Sequence, residues 1–464
     1  MRTLLKKILL CDFKSFLLKT FHTLHHNQEF LDNWHISLIS EYLQAVTNGK
    51  IKRLIINIPP RSLKSICVNV AWPAWLLAND PSRKIITASY SQALSAKHAL
   101  DCRQIMNSHW YEENFPDARA LRGHNTQSKF ATAKNGFRIA TSVGGTLTGE
   151  GADFLIVDDP LTPMQALSNY FRKRANIWFE QTLTSRLNSQ KEGAIIIVMQ
   201  RLHVKDLTGF LIEKDPENWQ LLNIPLIAEK NELIQYNNFS YSRKAGEYLH
   251  NDRAGSKEIE HLKKALGSYA FAAQYQQNPR PLNGGIIKQS WLKYYDIEPK
   301  FETIYQSWDC AIKPSKTNDY TVCTTWGVYN SNYYLIDVLR ERLDYPSLKK
   351  TIINNALNFK PNAVIVEDKA SGQQIIQELT NNGLNIIKIM PKFDKLTRLI
   401  INSNIFESGR VFLPINKNWS VDFFSELLAF PNTNFDDQID STTQFLEWIE
   451  NKKTTNCNYS VRKL

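Results

Sequence analysis

The chain has 464 residues, 43% of them hydrophobic and 22% charged, an ordinary globular composition long enough for two or three domains. A formal net charge of +11 makes a polyanion such as nucleic acid a plausible partner. Six cysteines (Cys11, Cys67, Cys102, Cys310, Cys323, Cys457) fall without Cys-x-x-Cys pairs, which argues against a zinc site or a disulfide framework and suits a reducing cytoplasm. No apolar run is long enough to span a bilayer; Ile66–Ala78 comes nearest and contains Asn69 and Pro73.

Residues 1–50 read as a helical segment. The basic, amphipathic opening MRTLLKKILLCDFKSFLLKTF lacks a small-residue cleavage site and is read as a helix rather than a signal peptide. Asn33 is a candidate cap for a helix from Ile36 to Val46. Trp34 either stacks on a nucleotide base or staples this helix to the next domain.

The stretch RLIINIPPRSLKS, Arg53–Ser65, reads as a buried strand, a turn and a helix start. Lys64-Ser65 at a strand-to-helix turn is the working end of a P-loop. Loop N–H groups and the helix N-terminus take phosphate oxygens, Lys reaches the β- and γ-phosphates, and Ser holds Mg²⁺. The usual glycines are absent: Leu63 precedes Lys64 and Pro60 opens the loop. Leucine is expected to limit the positive φ that such a loop uses.

Further strands are expected at Lys84–Tyr90, Phe137–Thr141 and Phe154–Asp159, with a helix reaching about Met106 after the first. Ser142–Asp153 holds Gly144, Gly145, Gly149 and Gly151, a density that asks for unusual backbone angles or close approach. The strand FLIVDD delivers Asp158 and Asp159 at its carboxyl end, as a Walker B element does. The first acid orders Mg²⁺ and the second orients the attacking water. A helix is expected from Gln165 to Leu187, then a buried strand Gly193–Met199 followed by Gln200. The order implies an α/β domain over residues 51–280 with a mainly parallel sheet, and ligands at the strand ends where Lys64, Asp158 and Gln200 lie. Residues 205–280 are less periodic and make a candidate lid subdomain; NPRPLNGG, Asn278–Gly285, reads as a linker.

A second domain is expected over residues 286–455. Its strands are Thr303–Trp308 ending at Asp309, the pair Tyr320–Tyr329 and Asn332–Leu339, Ala363–Val366 ending at Glu367, and Ile386–Ile389. Helices are expected at Tyr345–Leu357 and Gly372–Thr380, and a late one opens near FDDQID. Three meandering strands with Asp on the first, an acid on the fourth and acids on a late helix are the layout of an RNase H-like nuclease. Carboxylates from separate elements then converge on two Mg²⁺ or Mn²⁺ ions about 3.5–4 Å apart. Asp437 and Asp440, three apart, share a helix face.

The motifs NWH, INIPPRSLKS, ITASYSQALS, SVGGTLTGEGADFLIVDDP, Arg201-Leu202-His203 with Asp206-Leu207, YQQNP, SWDCA with DYTV, VEDKASG and FPNTNFDDQID resemble those of the large terminase subunit of tailed bacteriophages, here as carried by a phage or prophage. The resemblance runs from about Trp34 to Trp448. It implies an N-terminal P-loop ATPase and a C-terminal RNase H-like endonuclease that package and cut double-stranded DNA. On it, Arg61, Ser62, Lys64 and Ser65 bind ATP with Mg²⁺, Asp158-Asp159 form Walker B, and Gln200 couples hydrolysis to movement. Asp309, Glu367 and Asp437 match the nuclease carboxylates, with Asp436 and Asp440 as alternates for the third. The resemblance departs at Leu63, in place of a loop glycine, and at Phe435, where His is common. The implied partners are a portal protein, a small terminase subunit and further copies in a ring, in the host cytoplasm and transiently at the procapsid portal, with no membrane.

Rival readings are a helicase-nuclease of DNA repair, which needs further helicase motifs, a transposase or integrase, which leaves Lys64 with Asp158 unexplained, and a non-catalytic DNA-binding prophage relic.

Overall fold

The computed structural model describes residues 2–121, 126–147, 149–280, 285–310, 320–368, 372–381, 383–415, 417–433 and 436–461. The chain divides into two compact units, Met1–Lys263 with Ser268–Pro281, and Lys264–Gly267 with Leu282–Leu464.

The first unit opens with helices α1 (Arg2–Cys11), α2 (Phe13–Leu24) and α3 (Trp34–Thr47). Strand β1 (Arg53–Asn57) leads through the Lys64 turn into a π-helical stretch, Ile66–Ala71, and α4 (Trp72–Asn79). Then come β2 (Lys84–Ser89), α5 (Gln92–Met106), α6 (His109–Asn114), β3 (Lys129–Ala131), β4 (Phe137–Ser142), β5 (Phe154–Asp158), α7 (Pro163–Leu167), α8 (Asn169–Trp178), β6 (Ala194–Met199), α9 (Leu207–Lys214) and β7 (Gln220–Asn223). A hairpin of β8 (Glu232–Tyr236) and β9 (Phe239–Arg243) precedes α10 (Ser256–Gln274).

The seven-stranded sheet runs β3-β4-β2-β5-β6-β1-β7, parallel except for β3 against β4. The apolar runs of β1, β5 and β6 are explained by burial on both faces, as a central parallel sheet requires. Alternate residues go to opposite sides: Leu54, Ile56, Ile156, Ile196 and Val198 pack with Phe13, Phe16, Trp72 and Tyr111 of the helices, while Ile55, Leu155, Val157, Ile195 and Ile197 pack with Trp178, Phe179 and Leu183. The first fifty residues therefore form part of this unit's core. Strand β6 lies between β1 and β5, so Gln200 emerges between the Lys64 loop and the Asp158-Asp159 pair.

Two expectations are corrected here. The single helix expected over Gln165–Leu187 is broken into α7, α8, a π-helical stretch Phe179–Leu183 and a 3₁₀ turn Thr184–Arg186. The break at Ser168 is stabilised locally, since Arg172 Nη1 donates to the carbonyls of Ala166 (2.6 Å) and Leu167 (2.7 Å). Leu63 does adopt positive φ, as described below. In the glycine-rich stretch, Gly144 and Gly149 take φ of 79° and 81°.

The second unit contains β10 (Lys293–Tyr295), β11 (Thr303–Asp309), β12 (Thr321–Tyr329), β13 (Asn332–Glu341), α11 (Tyr345–Phe359), β14 (Ala363–Glu367), α12 (Gly372–Asn381), β15 (Ile386–Ile389), α13 (Lys395–Glu407), β16 (Val411–Pro414), α14 (Ser420–Ala429) and α15 (Asp437–Val461). Its sheet order is β10-β16-β13-β12-β11-β14-β15. The meander β11-β12-β13 is antiparallel, and β14 joins β11 in parallel with Trp308 opposite Val366. Trp308, Val364 and Val366 face Leu348, Ile352, Ile375 and Ile376 of α11 and α12. By the two-residue period of a strand, Asp309 and Glu367 then face the other side, where α15 packs.

Helix α15 is docked by polar as well as apolar contacts. Ser441 Oγ donates to Ser307 O (2.7 Å), Ser307 Oγ donates to Ser441 O (2.8 Å), and Gln444 Nε2 donates to Ser307 Oγ (3.0 Å) and Trp308 O (3.3 Å). Phe445 stacks on Trp326 with centroids 5.0 Å apart. Positions 437, 441, 444 and 445 share one helix face, so the contacts that bury α15 also aim its first turn at the ends of β11 and β14. The helix start is held by buried Glu426 of α14, which accepts from the backbone N–H of Gln438 (2.8 Å) and Ile439 (3.2 Å) and from Gln438 Nε2 (2.7 Å). A carboxylate from another helix thus caps α15.

Glu426→Ala leaves three buried donors without this acceptor. It is expected to cost about 2–3 kcal/mol in denaturant unfolding of the full chain. A curve superposing on wild type would mean that α15 is held without this cap.

Candidate active sites

In the first unit, the turn after β1 makes a sharp reversal without glycine. Arg61 and Leu63 sit at φ of 65° and 59°, and Asp159, at the end of β5, sits at 44°. Non-glycine residues held in this region cost on the order of 1–3 kcal/mol each and cluster at functional sites. The helix begins at Lys64 and passes at once into the π-helical stretch, which carries Asn69.

Lys64 Nζ lies 2.9 Å from Asp159 Oδ1 and 2.8 Å from Oδ2. Ser65 Oγ donates to Asp158 Oδ1 (3.1 Å), and Asn69 Nδ2 donates to Asp158 Oδ2 (3.1 Å). Asn69 is in turn gripped by Arg138 of β4, whose Nη2 donates to Asn69 Oδ1 (2.8 Å) and to its carbonyl (3.0 Å). Burial pushes the Asp158 and Asp159 carboxyls up, with Lys64 pulling both the other way. The neighbouring His98 is driven down to about 4 by burial and then by Arg138. Ser65 Oγ and an Asp158 oxygen form a hard-donor pair of the kind Mg²⁺ takes.

Gln200 closes this group. Its backbone N–H donates to Asp159 Oδ1 (3.1 Å), and its side-chain oxygen accepts from Gln274 Nε2 (2.9 Å). The next residue, Arg201, donates its N–H to Gln277 Oε1 (2.8 Å) and pairs through Nε with Asp206 (3.0 Å). Lys64, Ser65, Asp158, Asp159 and Gln200 are therefore brought together. Ser62 is buried in the same loop, and its backbone hydrogen-bonds buried His35. Arg61 is exposed, and its carbonyl accepts from Arg253 Nη1 (2.5 Å). Trp34 stacks on Tyr241 of β9 with centroids 4.9 Å apart and planes 10° from parallel, and the Arg243 guanidinium lies 5.3 Å from its ring centre. One face of Trp34 is thus already occupied, and its neighbour His35 is the NWH residue that reaches the loop. No sequence pattern marks Asn69, His98, Arg138, Gln274 or Arg253; the YQQNP motif marks their neighbour Gln277. A cavity of about 570 Å³ lined by Lys50, Arg53, Gln190 and Trp219 lies at the amino ends of β1 and β6 and brings none of these residues in.

In the second unit, Glu367, Asp437 and Asp440 all lie close enough to Asp309 to act on its carboxyl. Asp309 is pushed up to about 8, first by burial and then by Asp440 and Glu367, with Asp437 adding and Lys395 opposing. Asp440 is pushed up to about 6 by burial against the pull of Arg398 and Lys395. The last two residues come from α13: Arg398 pairs with Asp440, and Lys395 Nζ lies 2.5 Å from Asp440 Oδ2 and 2.6 Å from Asp436 Oδ1. Asp440 and Asp436 are thus committed to cations, while Asp437 lies buried in the first turn of α15. Among the described residues no group of three or more His, Cys, Asp or Glu is drawn together closely enough to hold a metal as it stands. The donors nonetheless fit a hard divalent cation: they are oxygens, and their mutual repulsion helps to hold the Asp309 proton on. Phe435 lies outside the described residues.

Residues 306–447 match the family model of the terminase RNaseH-like domain. No curated protein matches the sequence. Among solved structures, the chain is similar to the large terminase from a thermophilic bacteriophage. In crystal form 2 of that protein the TM-score is 0.51 at 11% identity, covering 88% of this chain and 98% of that one. In crystal form 3, in complex with ADP, it is 0.50 at 12% identity, covering 87% and 97%. Residues 306–447 thus match the terminase RNaseH-like domain, and the chain that carries them has the fold of a phage large terminase subunit, an α/β P-loop unit followed by an RNase H-like unit.

Proposed function

We propose that this chain is the ATP-hydrolysing, DNA-cutting subunit of a phage DNA-packaging motor. The observation that carries the reading is the presence of two separate acid centres on one chain. One is paired with Lys64 and Ser65 at the strand ends of a parallel sheet; the other is buried at the strand ends of an RNase H-like sheet.

In the first unit, a nucleotide's phosphates would take Lys64 away from Asp159. The freed Asp159 carboxylate, steadied by the Gln200 N–H, then accepts a proton from the attacking water. Arg61, exposed on the loop, and Lys64 offset charge on the transferred phosphoryl group. Ser65 and Asp158 would supply oxygens for Mg²⁺, which when bound would neutralise phosphate charge. Gln200 passes a change at Asp159 to Gln274. The thermophilic-phage relative, crystallised in complex with ADP, supports the nucleotide assignment.

In the second unit, Asp309, Glu367 and Asp437 would hold two Mg²⁺ or Mn²⁺ ions, which supply an activated water and steady the leaving 3′ oxygen. Asp440, fixed by Arg398 and Lys395, positions the turn that carries Asp437. The chain's +11 charge suits sequence-independent grip on the phosphates of double-stranded DNA. The partners that go with this role are a portal protein, a small terminase subunit and further copies in a ring, within the bacterial cytoplasm. No described helix is long and apolar enough to cross a membrane. No observation favours the repair helicase-nuclease or the inactive relic.

Lys64→Ala is expected to abolish ATP hydrolysis and leave metal-dependent plasmid nicking, and Asp309→Ala to do the reverse. Loss of both activities in either variant would show that the two centres are not separable. Asp159→Asn should still bind ATP but turn it over roughly two to four orders of magnitude more slowly; equal loss of binding would make Asp159 structural.

The pH dependence of stability tests the acid group. Asp309, raised to about 8 from an ordinary 3.8, takes up a proton on folding. Its contribution is therefore full below about pH 4 and is lost as pH rises through about 8. The stability of wild type relative to Asp309→Asn should fall between pH 5 and 8, and Mn²⁺ at pH 8 should restore it. Parallel curves across that range would contradict the crowding of acids around Asp309.

A further inference from the structure

The loop between Pro59 and Ser65 reaches a left-handed conformation at Arg61 and Leu63 without a glycine, so something outside it must hold that shape. Two side chains do so, from two different elements. Arg253, on the segment before α10, donates from Nη1 to the Arg61 carbonyl at 2.5 Å. His35, 1% exposed at the start of α3, hydrogen-bonds the Ser62 backbone. The two supports are tied together. Asn33 Nδ2 donates to Leu249 O (2.9 Å), the His250 ring lies edge-on to His35 at 6.1 Å, and the Arg253 N–H donates to His250 O (3.1 Å).

A trans peptide is planar, with its C=O and N–H pointing opposite ways. Pinning the Arg61 carbonyl toward Arg253 therefore turns the Ser62 N–H in the opposite direction. We infer that Arg253 is a positioning residue for the nucleotide loop: it does from outside what a loop glycine does from within, fixing the Arg61–Leu63 backbone in the form that presents N–H groups to phosphate. This rests on the reading of Lys64-Ser65 as a nucleotide loop. It also accounts for the positive φ of Leu63, which leucine was expected to resist.

Arg253 is exposed, so its replacement spares the core. In the full chain, Arg253→Ala should raise KM for ATP roughly three- to ten-fold, the loss of one hydrogen bond, with kcat close to wild type. Arg253→Lys should recover part of it. Amide exchange across residues 61–65 should quicken in Arg253→Ala. Adding Leu63→Gly to Arg253→Ala should return KM toward wild type, because glycine takes positive φ without strain. An unchanged KM in Arg253→Ala overturns the inference. So does a loss that Leu63→Gly fails to rescue, which would instead mean that Arg253 touches the nucleotide. A wild-type chain that neither binds nor hydrolyses ATP overturns the site reading, and this inference with it; wild-type turnover with indifferent variants overturns the inference alone.

Discussion

The ion pair between Lys64 and Asp159 is the constraint on which the first unit's site depends. The side chains are 6% and 18% exposed, so both charges have lost most of their water. Such a pair adds little net stability, because the attraction is offset by desolvation, but removing one partner leaves a buried charge unpaired at a cost of about 3–5 kcal/mol. The pair joins the loop after β1 to the end of β5 across the strand that carries Gln200. Without nucleotide, Asp159 is the counter-ion of Lys64. In the proposed cycle a phosphate would be the competing counter-ion, and once it took Lys64 the carboxylate would be left to its other role. On the proposed reading, this one contact gives Asp158 and Asp159 different tasks. Asp158, held by Ser65 and Asn69, would stay in place while Asp159 changed partner.

The second unit solves a related problem with the opposite balance of charge. Four acids lie near the ends of β11 and β14, and two cations from α13 pair with Asp440 and Asp436. Asp309 keeps its proton because burial and the neighbouring acids outweigh the pull of Lys395. The helix that supplies Asp437 cannot drift from this repulsion, because Ser441, Gln444 and Phe445 bind it to the sheet and Glu426 caps its start. Polar docking of α15 is what lets like charges be kept close.

Much of this was legible in the sequence where burial is two-sided. The strands β1, β5 and β6 read clearly because a central parallel sheet demands unbroken apolar runs, and Lys64, Asp158 and Gln200 follow from standing at their carboxyl ends. Asp309 and Glu367 were legible for the same reason. The supports were not. Asn69 and Arg138 sit inside apolar stretches, and only the fold shows that a π-helical stretch turns Asn69 to Asp158. Lys395 and Arg398 lie on a helix with no local mark of its target, some forty residues before Asp440. Residues 205–280 hid their hairpin because β8 and β9 alternate between half-buried and exposed positions, with only Arg243 fully buried. Trp34 finds Tyr241 far along the chain, which no spacing reveals. The positive φ of Leu63 contradicted local propensity because contacts from α3 and from the segment before α10 outweigh it.

The most direct test of a DNA-driven ATPase built on the Lys64–Asp159 pair is steady-state phosphate release by the purified full-length chain, with and without linear double-stranded DNA, in Mg²⁺ and in EDTA. Hydrolysis that rises on adding DNA and vanishes in EDTA is the expected result. A chain that nicks plasmid in Mn²⁺ yet releases no phosphate from ATP in the presence of DNA and Mg²⁺ would contradict it.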